Sequence, residues 1–227
     1  MKILAQTVLF KLLRFLDPPA VTFDEARSKA FAHLYETAVA PGAGDFIDYQ
    51  LPYPRHEFLR FLVDRHPVLL HGSGHSTITT LEPRRQTLFD GRTVDAVFAT
   101  SDGLWPCFYA TMPRPQGVPR SIRNGGLAVQ GPKGKRTFYF FSLSDTMADC
   151  PWQSGAVYIL PRAPFSLQSP TWQEWTSPEP VRPLAKLAIA PDDFPLRHAV
   201  GRHGLKESSA LFWLRRIVGA RGVNGPA

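Results

Sequence analysis

The chain has 227 residues, of which 44% are hydrophobic and 20% charged. That balance excludes wholesale disorder, collagen and coiled-coil rods, and no apolar run approaches the roughly 20 residues a membrane helix needs. Lys and Arg number 26 against 19 Asp and Glu, a formal charge of +7 that suits an anionic partner such as nucleic acid, a dinucleotide or a phosphorylated protein. With 22 Pro and 17 Gly, short strands and loops are expected to outweigh long helices.

The first residues, MKILAQTVLFKLLRFL, resemble a signal peptide only briefly. Lys11 and Arg14 interrupt the apolar stretch, and Asp17-Pro-Pro-Ala20 is a poor cleavage site. Ile3, Leu4, Val8, Leu12 and Phe15 instead mark an amphipathic structural helix. Thr22 and Glu25 have capping-box spacing and predict a helix to about Val39. Residues 40–53 read as a loop, and Pro54 suits the first turn of a helix running to about Arg65. Residues 1–66 therefore form an expected N-terminal helical extension, with the main domain at 67–227.

From Pro67 the pattern turns to strands. Residues 67–70 form a short apolar strand ending in His71-Gly72-Ser73-Gly74, and 96–100 form a second. Ser101-Asp102-Gly103 then offers a cap for a helix to about Met112. Residues 113–135, with Arg114, Arg120, Arg123, Lys133 and Lys135 among glycines and prolines, read as a long basic loop. Its functional reading is a path for a phosphate backbone; its plain reading is a solvated connection. Strands are expected at 136–143, 155–160 and 184–190, with a short strand or extended loop near Trp172–Thr176. A closing helix over 208–218 would bury Leu211, Phe212, Leu214 and Ile217.

Two cysteines, Cys107 and Cys150, are too far apart for a metal knuckle and read as reduced thiols of a cytoplasmic protein. Pro67 and the Gly72-Ser73-Gly74 turn deny His66, His71 and His75 a common helical face, so no metal site is expected.

Three segments, LLHGS at 69–73, VFATSDGLWPCFYA at 97–110 and WQEWTSPEPVRPLAKLAI at 172–189, occur in that order. In this order they resemble the ADP-ribosyltransferase superfamily, in its diphtheria-toxin-like and poly(ADP-ribose)-polymerase-like branch. There, a strand ends in His-Gly-Ser, a Tyr-Phe-Ala strand leads into an aromatic-bearing helix, and a late element carries a catalytic Glu. The resemblance covers about residues 67–195. It implies an α+β fold, an ADP-ribosyltransferase-like split β-sandwich, with NAD as substrate and ADP-ribose transferred to a protein or nucleic-acid acceptor. Glu174 and His71 become the expected catalytic pair, 103 residues apart.

NAD contacts are implied for His71, Gly72, Ser73, Arg84, Phe108 and Tyr109. Cleavage of the nicotinamide–ribose bond passes through an oxocarbenium-like state, so a carboxylate near the ribose offsets the developing charge. Glu174 would hold the 2′-hydroxyl, and His71 would donate to the adenosine-side ribose. Gly72 would let backbone approach the nicotinamide amide, Ser73 would bond the nicotinamide side, and Arg84 would face the pyrophosphate. The sequence departs from the family at Val97, which stands where the family has its triad Tyr; Phe108 or Tyr109 would then supply the stacking ring. Glu179 competes with Glu174 for the catalytic role. Two other readings stay open: an RNA 2′-phosphotransferase-like enzyme on the same fold, and a non-catalytic module binding NAD, ADP-ribose or nucleic acid.

Overall fold

The computed structural model describes residues 10, 13–18, 21–131 and 134–218, with backbone alone at 130, 131, 134 and 135. Two units emerge, each discontinuous in sequence: one is Val21–Met112 with Trp152–Arg197, the other Met1–Ala20, Pro113–Pro151 and His198–Ala227. The expected boundary at residue 66 is not where the chain divides. Residues 21–66 belong with the strands that follow them.

Helix α1 (Glu25–Ala38) begins two residues later than the capping box predicts. The Asp24 carboxylate, not the Thr22 hydroxyl, accepts the Arg27 N–H at 2.7 Å. Aspartate is at least as good a cap, and this choice leaves Glu25 in the first turn, where its charge favours the helix dipole. The chain turns at Gly42, whose φ of +69° suits a residue without a side chain. Helix α2 (Arg55–Arg65) follows Pro54. Phe31 of α1 packs between Phe58 and Phe61 of α2, with ring centroids 5.4 and 5.6 Å away. Phe58, Leu59 and Leu62 are fully buried.

In chain order the strands are β1 (Val68–Ser73), β2 (Arg84–Thr87), β3 (Thr93–Thr100), β4 (Ile122–Gly131), β5 (Gly134–Ser144), β6 (Gly155–Pro161), β7 (Ser166–Ser169), β8 (Glu174–Ser177), β9 (Ala185–Ile189) and β10 (Gly201–His203). The first unit holds the large sheet, ordered β7-β8-β3-β1-β6-β9, with β2 paired to β3. Every pairing in it is antiparallel. Leu69, Val97, Ala99, Ala156, Tyr158, Leu160 and Trp175 form a core on one of its faces. The spacing of these residues by two along β3 and β6 places them on one face, while β6 is buried on both.

Helix α3 (Trp105–Thr111) crosses β1 and β6 closely enough that only glycine fits beneath it. A Cβ on Gly72 would lie 2.0 Å from the Pro106 carbonyl oxygen, and one on Gly155 would lie 2.2 Å from that of Ala110. The cap of α3 is Asp102, whose Oδ1 accepts the N–H groups of Leu104 at 2.9 Å and Trp105 at 2.7 Å.

The second unit is a three-stranded sheet, β10-β5-β4, with β4 and β5 antiparallel and β10 parallel to β5. It carries the short helix α4 (Asp145–Ala148) and the closing helix α5 (Ser209–Val218). Here the basic loop expected at 113–135 is corrected. From Ile122 onward it is a strand, paired with β5 from Ile122↔Leu143 to Gly131↔Gly134. Its glycines read as a loop in isolation, but β5 supplies a ladder partner at every position.

Phe10, Phe15, Phe138, Phe140 and Phe212 form the core of this unit. The apolar face expected for α5 is also corrected: Phe212 is buried, while Leu211, Leu214 and Ile217 are 53%, 56% and 36% exposed. Phe15 packs against Phe140, whereas Ile3, Leu4, Val8, Leu12 and Lys133 lie outside the described residues. The α+β class with mainly antiparallel sheets stands as expected. Among the described residues no helix is long and apolar enough to cross a membrane.

The packing of α3 on β1 sets a test. Gly72→Ala forces a backbone contact apart, so it is expected to destabilise the protein by about 2 kcal/mol or more in urea unfolding. An unchanged midpoint and slope would contradict this packing.

Candidate functional site

A gap in the large sheet creates the site. Strand β1 pairs with β6 continuously from Val68↔Pro161 to Ser73↔Ala156, yet it meets β3 at one register position, Leu70↔Thr100. Beyond that point β1 and β3 part. Between and above them opens a cleft of about 190 Å³ that is open to solvent on one side. Leu70, His71 and Gly72 line it from β1, and Phe98, Ala99 and Thr100 line it from β3. Trp105, Pro106 and Tyr109 come from α3, Trp172, Gln173 and Glu174 from the entry to β8, and Gln86 from β2.

His71 bridges the split. Its Nδ1 lies 2.8 Å from the Phe98 carbonyl oxygen. A carbonyl can only accept, so Nδ1 carries the hydrogen and satisfies a backbone group that lost its ladder partner where the strands diverge. Burial lowers the His71 pKa, the Phe98 carbonyl works against that, and the Arg84 guanidinium reinforces it. The imidazole is therefore held neutral with Nε2 left as an acceptor. This departs from the expected donation by His71: with Nδ1 committed to the Phe98 carbonyl, Nε2 of the neutral ring can only accept.

Glu174 enters from the other side. It opens β8 directly opposite Thr100, which in turn is opposite Leu70, so the backbones of Glu174 and of Leu70, the residue before His71, stand two strand spacings apart, roughly 10 Å. Burial raises the Glu174 pKa, the Phe89 N–H opposes the rise, and the Asp90 carboxylate adds to it. The Phe89 N–H donates to Glu174 Oε1 at 3.3 Å. Phe89 lies in the turn four residues before Thr93, and a flat strand would hold Thr93 roughly 23 Å from Thr100. The β2–β3 hairpin therefore curls back so that its tip flanks Glu174.

Gln173, not singled out in the sequence, and Asp102, read there only as a helix cap, hold the turn that bears this carboxylate. Gln173 has φ of +53°, a left-handed conformation that costs a non-glycine residue about 1 kcal/mol or more and tends to persist at functional sites. Its buried amide donates to Asp102 Oδ2 at 3.4 Å. Asp102, 2% exposed, thus joins the N-terminus of α3 to the turn before Glu174 with one carboxylate. The Ser101-Asp102-Gly103 capping signal was legible, but a partner 71 residues away was not. Trp172 is also a cleft residue.

The structure brings His71, Gly72, Tyr109 and Glu174 together at the cleft. The Pro106 carbonyl by itself requires a glycine at position 72. Phe108 is not at the cleft: it is fully buried against Phe194 and Trp152. Ser73 does not line the cleft either, and its Oγ accepts the His75 N–H at 3.1 Å. Arg84 is exposed on β2 and touches the site through its charge on His71. Val97 is buried in the core face of β3.

Glu179 is exposed and bonded through its backbone to the Ser177 hydroxyl, away from the lining. Burial pushes the Cys107 thiol up, so it offers no thiolate. Among the described residues no group of three or more His, Cys, Asp or Glu is placed to hold a metal ion. Compared with family models, curated proteins and solved structures, the chain matches none.

The His71 tautomer has a pH consequence. Its folded pKa lies below the ordinary 6.5, so the unfolded chain binds the proton more readily. The stability that His71 contributes is thus present above pH 6.5 and shrinks as pH falls below it, by at most about 1.4 kcal/mol per pH unit. His71→Asn keeps an N–H for the Phe98 carbonyl without titrating. The stability of the wild type relative to this variant should therefore fall between neutral and mildly acidic pH in denaturant titrations. A gap that widens on acidification would contradict the neutral imidazole.

Proposed function

We propose that the cleft binds NAD and that the protein is an ADP-ribosyltransferase, with an ADP-ribosyltransferase-like split sheet as its core. The observation that carries this reading is the meeting of His71 and Glu174, 103 residues apart in sequence, on either side of one split sheet beside aromatic rings. In this reading the adenosine-side ribose gives a hydroxyl hydrogen bond to His71 Nε2. The nicotinamide ring stacks on Tyr109, with Trp105 and Trp172 closing the apolar wall.

The Glu174 carboxylate accepts the 2′-hydroxyl of the other ribose. As the bond between C1′ and the nicotinamide nitrogen breaks, its electron pair leaves with nicotinamide, and the positive charge grows on the ribose ring next to Glu174. The acceptor's nucleophile then bonds to C1′, and its proton passes to the Glu174 carboxylate, whose raised pKa suits it to take one. Gln173 and Asp102 act on this chemistry by fixing where the carboxylate stands.

Among the described residues the lining contains no arginine, which weighs against the RNA 2′-phosphotransferase-like reading. The cleft-bearing unit has 12 Lys and Arg against 15 Asp and Glu, a net −3. The overall basic charge therefore gives no reason to choose nucleic acid over protein as acceptor at this cleft. Val97, packed among Ala99 and Trp175, cannot present a ring to a ligand and so favours a second reading, a module that binds NAD without cleaving it.

Nicotinamide release from NAD by the purified protein separates these readings. The expected outcome is measurable turnover that falls by about a hundredfold or more in Glu174→Gln with NAD affinity largely kept. His71→Ala should weaken binding as well. Binding without release, with acceptor supplied as cell lysate, would establish the module. Neither binding nor release would overturn the NAD assignment.

A further inference from the structure

Helix α5 is built inside out. On an ordinary surface helix the arginines face solvent and the aliphatic residues face the core. Here Arg216 turns inward: its Nε donates to the Leu13 carbonyl at 3.2 Å, and its guanidinium lies over the rings of Phe140, Phe212 and Trp213. Outward face Leu211, Leu214 and Val218, which are 53%, 56% and 55% exposed, and Ile217, at 36%, adjoins them. At 3.6 residues per turn these four occupy one arc of about 120°. Single exposed aliphatic side chains are ordinary, but a contiguous arc of them on a ten-residue helix marks a surface meant to be covered.

The charge of the surrounding unit says what would cover it. Met1–Ala20, Pro113–Pro151 and His198–Ala227 together carry 14 Lys and Arg against 4 Asp and Glu, a net +10, while the cleft-bearing unit is at −3. The whole basic excess of the chain is thus on the unit that bears the aliphatic arc. Arg215 flanks the arc, and Leu205 and Lys206 stand exposed just before the helix.

We propose that this unit docks on an anionic lipid surface, with Leu211, Leu214, Ile217 and Val218 entering the acyl boundary and the surrounding cations among the head-group phosphates. That combination of an apolar arc and a basic surround is what interfacial helices use, and neither half suffices alone. Nucleic acid would answer the same charge, but it is gripped by exposed rings and hydrogen-bond donors, not by an aliphatic arc. Trp213, the ring on this helix nearest the surface, is already stacked on Phe15 at 6.0 Å. The proposal does not depend on what the cleft binds.

Vesicle flotation of the full chain tests it, using phosphatidylcholine vesicles with and without phosphatidylserine, and the double variant L211N/L214N. Both leucines are exposed, so the variant should keep its melting temperature, which circular dichroism checks. The proposal expects flotation with the anionic vesicles, about tenfold or more weaker on phosphatidylcholine alone, and a loss of about tenfold or more in the variant. Added salt should weaken binding of the wild type. No flotation with anionic vesicles, or equal flotation of the variant, would overturn it. Tight binding to duplex RNA or DNA that the double substitution leaves unchanged, without flotation, would assign the basic unit to nucleic acid instead.

Discussion

The hydrogen bond from His71 Nδ1 to the Phe98 carbonyl is the constraint on which the site depends. Two antiparallel strands that pair at one end and part at the other must leave backbone groups unsatisfied at the fork. An unpaired carbonyl facing a half-buried cleft costs free energy comparable to a lost hydrogen bond. A side chain that can span the widening gap removes that cost and props the gap open. The same bond fixes the imidazole tautomer, so one contact determines both the shape of the cleft and the chemistry of the nitrogen that looks into it.

The other wall is held from a distance. The Asp102 carboxylate caps α3 with one oxygen and takes the Gln173 amide with the other, so the helix bearing Trp105 and Tyr109 and the turn bearing Glu174 cannot shift independently. Gly72 and Gly155 let α3 sit directly on β1 and β6, which brings its rings over the fork. The positive φ of Gln173 stores strain that these contacts sustain. The cleft is thus pre-formed by packing, with its one carboxylate partly desolvated and hydrogen-bonded to the tip of the β2–β3 hairpin. This arrangement suits a group that must meet developing positive charge without reorganising.

Much of this was legible in the sequence because its signals are local. The strand at 67–70, the glycine turn after it, the helix from Arg55 and the strands around 139, 157 and 187 each follow from apolar patterning and from Pro and Gly as punctuation. His71 and Glu174 were found through motif order, and the structure brings both to one cleft. What failed depended on partners far away in sequence. Strand β4 looks like a glycine-rich loop until β5 is beside it. Phe108 and Tyr109 are adjacent and chemically alike, and only the roll of α3 sends Phe108 into the core and Tyr109 to the cleft. Helix α5 has the periodicity of a packed helix, yet the core takes Phe212 and the Arg216 stem and leaves the leucines outside. The division of charge, +10 in one unit and −3 in the other, was hidden because both units are assembled from separated segments.

Nitrogen-15 NMR of the His71 imidazole, recorded without and with NAD, tests the central claim most directly. The account predicts a neutral ring protonated at Nδ1 in the free protein, and a change at Nε2 when NAD is added as a ribose hydroxyl engages it. A ring protonated at Nε2, or an Nε2 signal indifferent to saturating NAD, would contradict it.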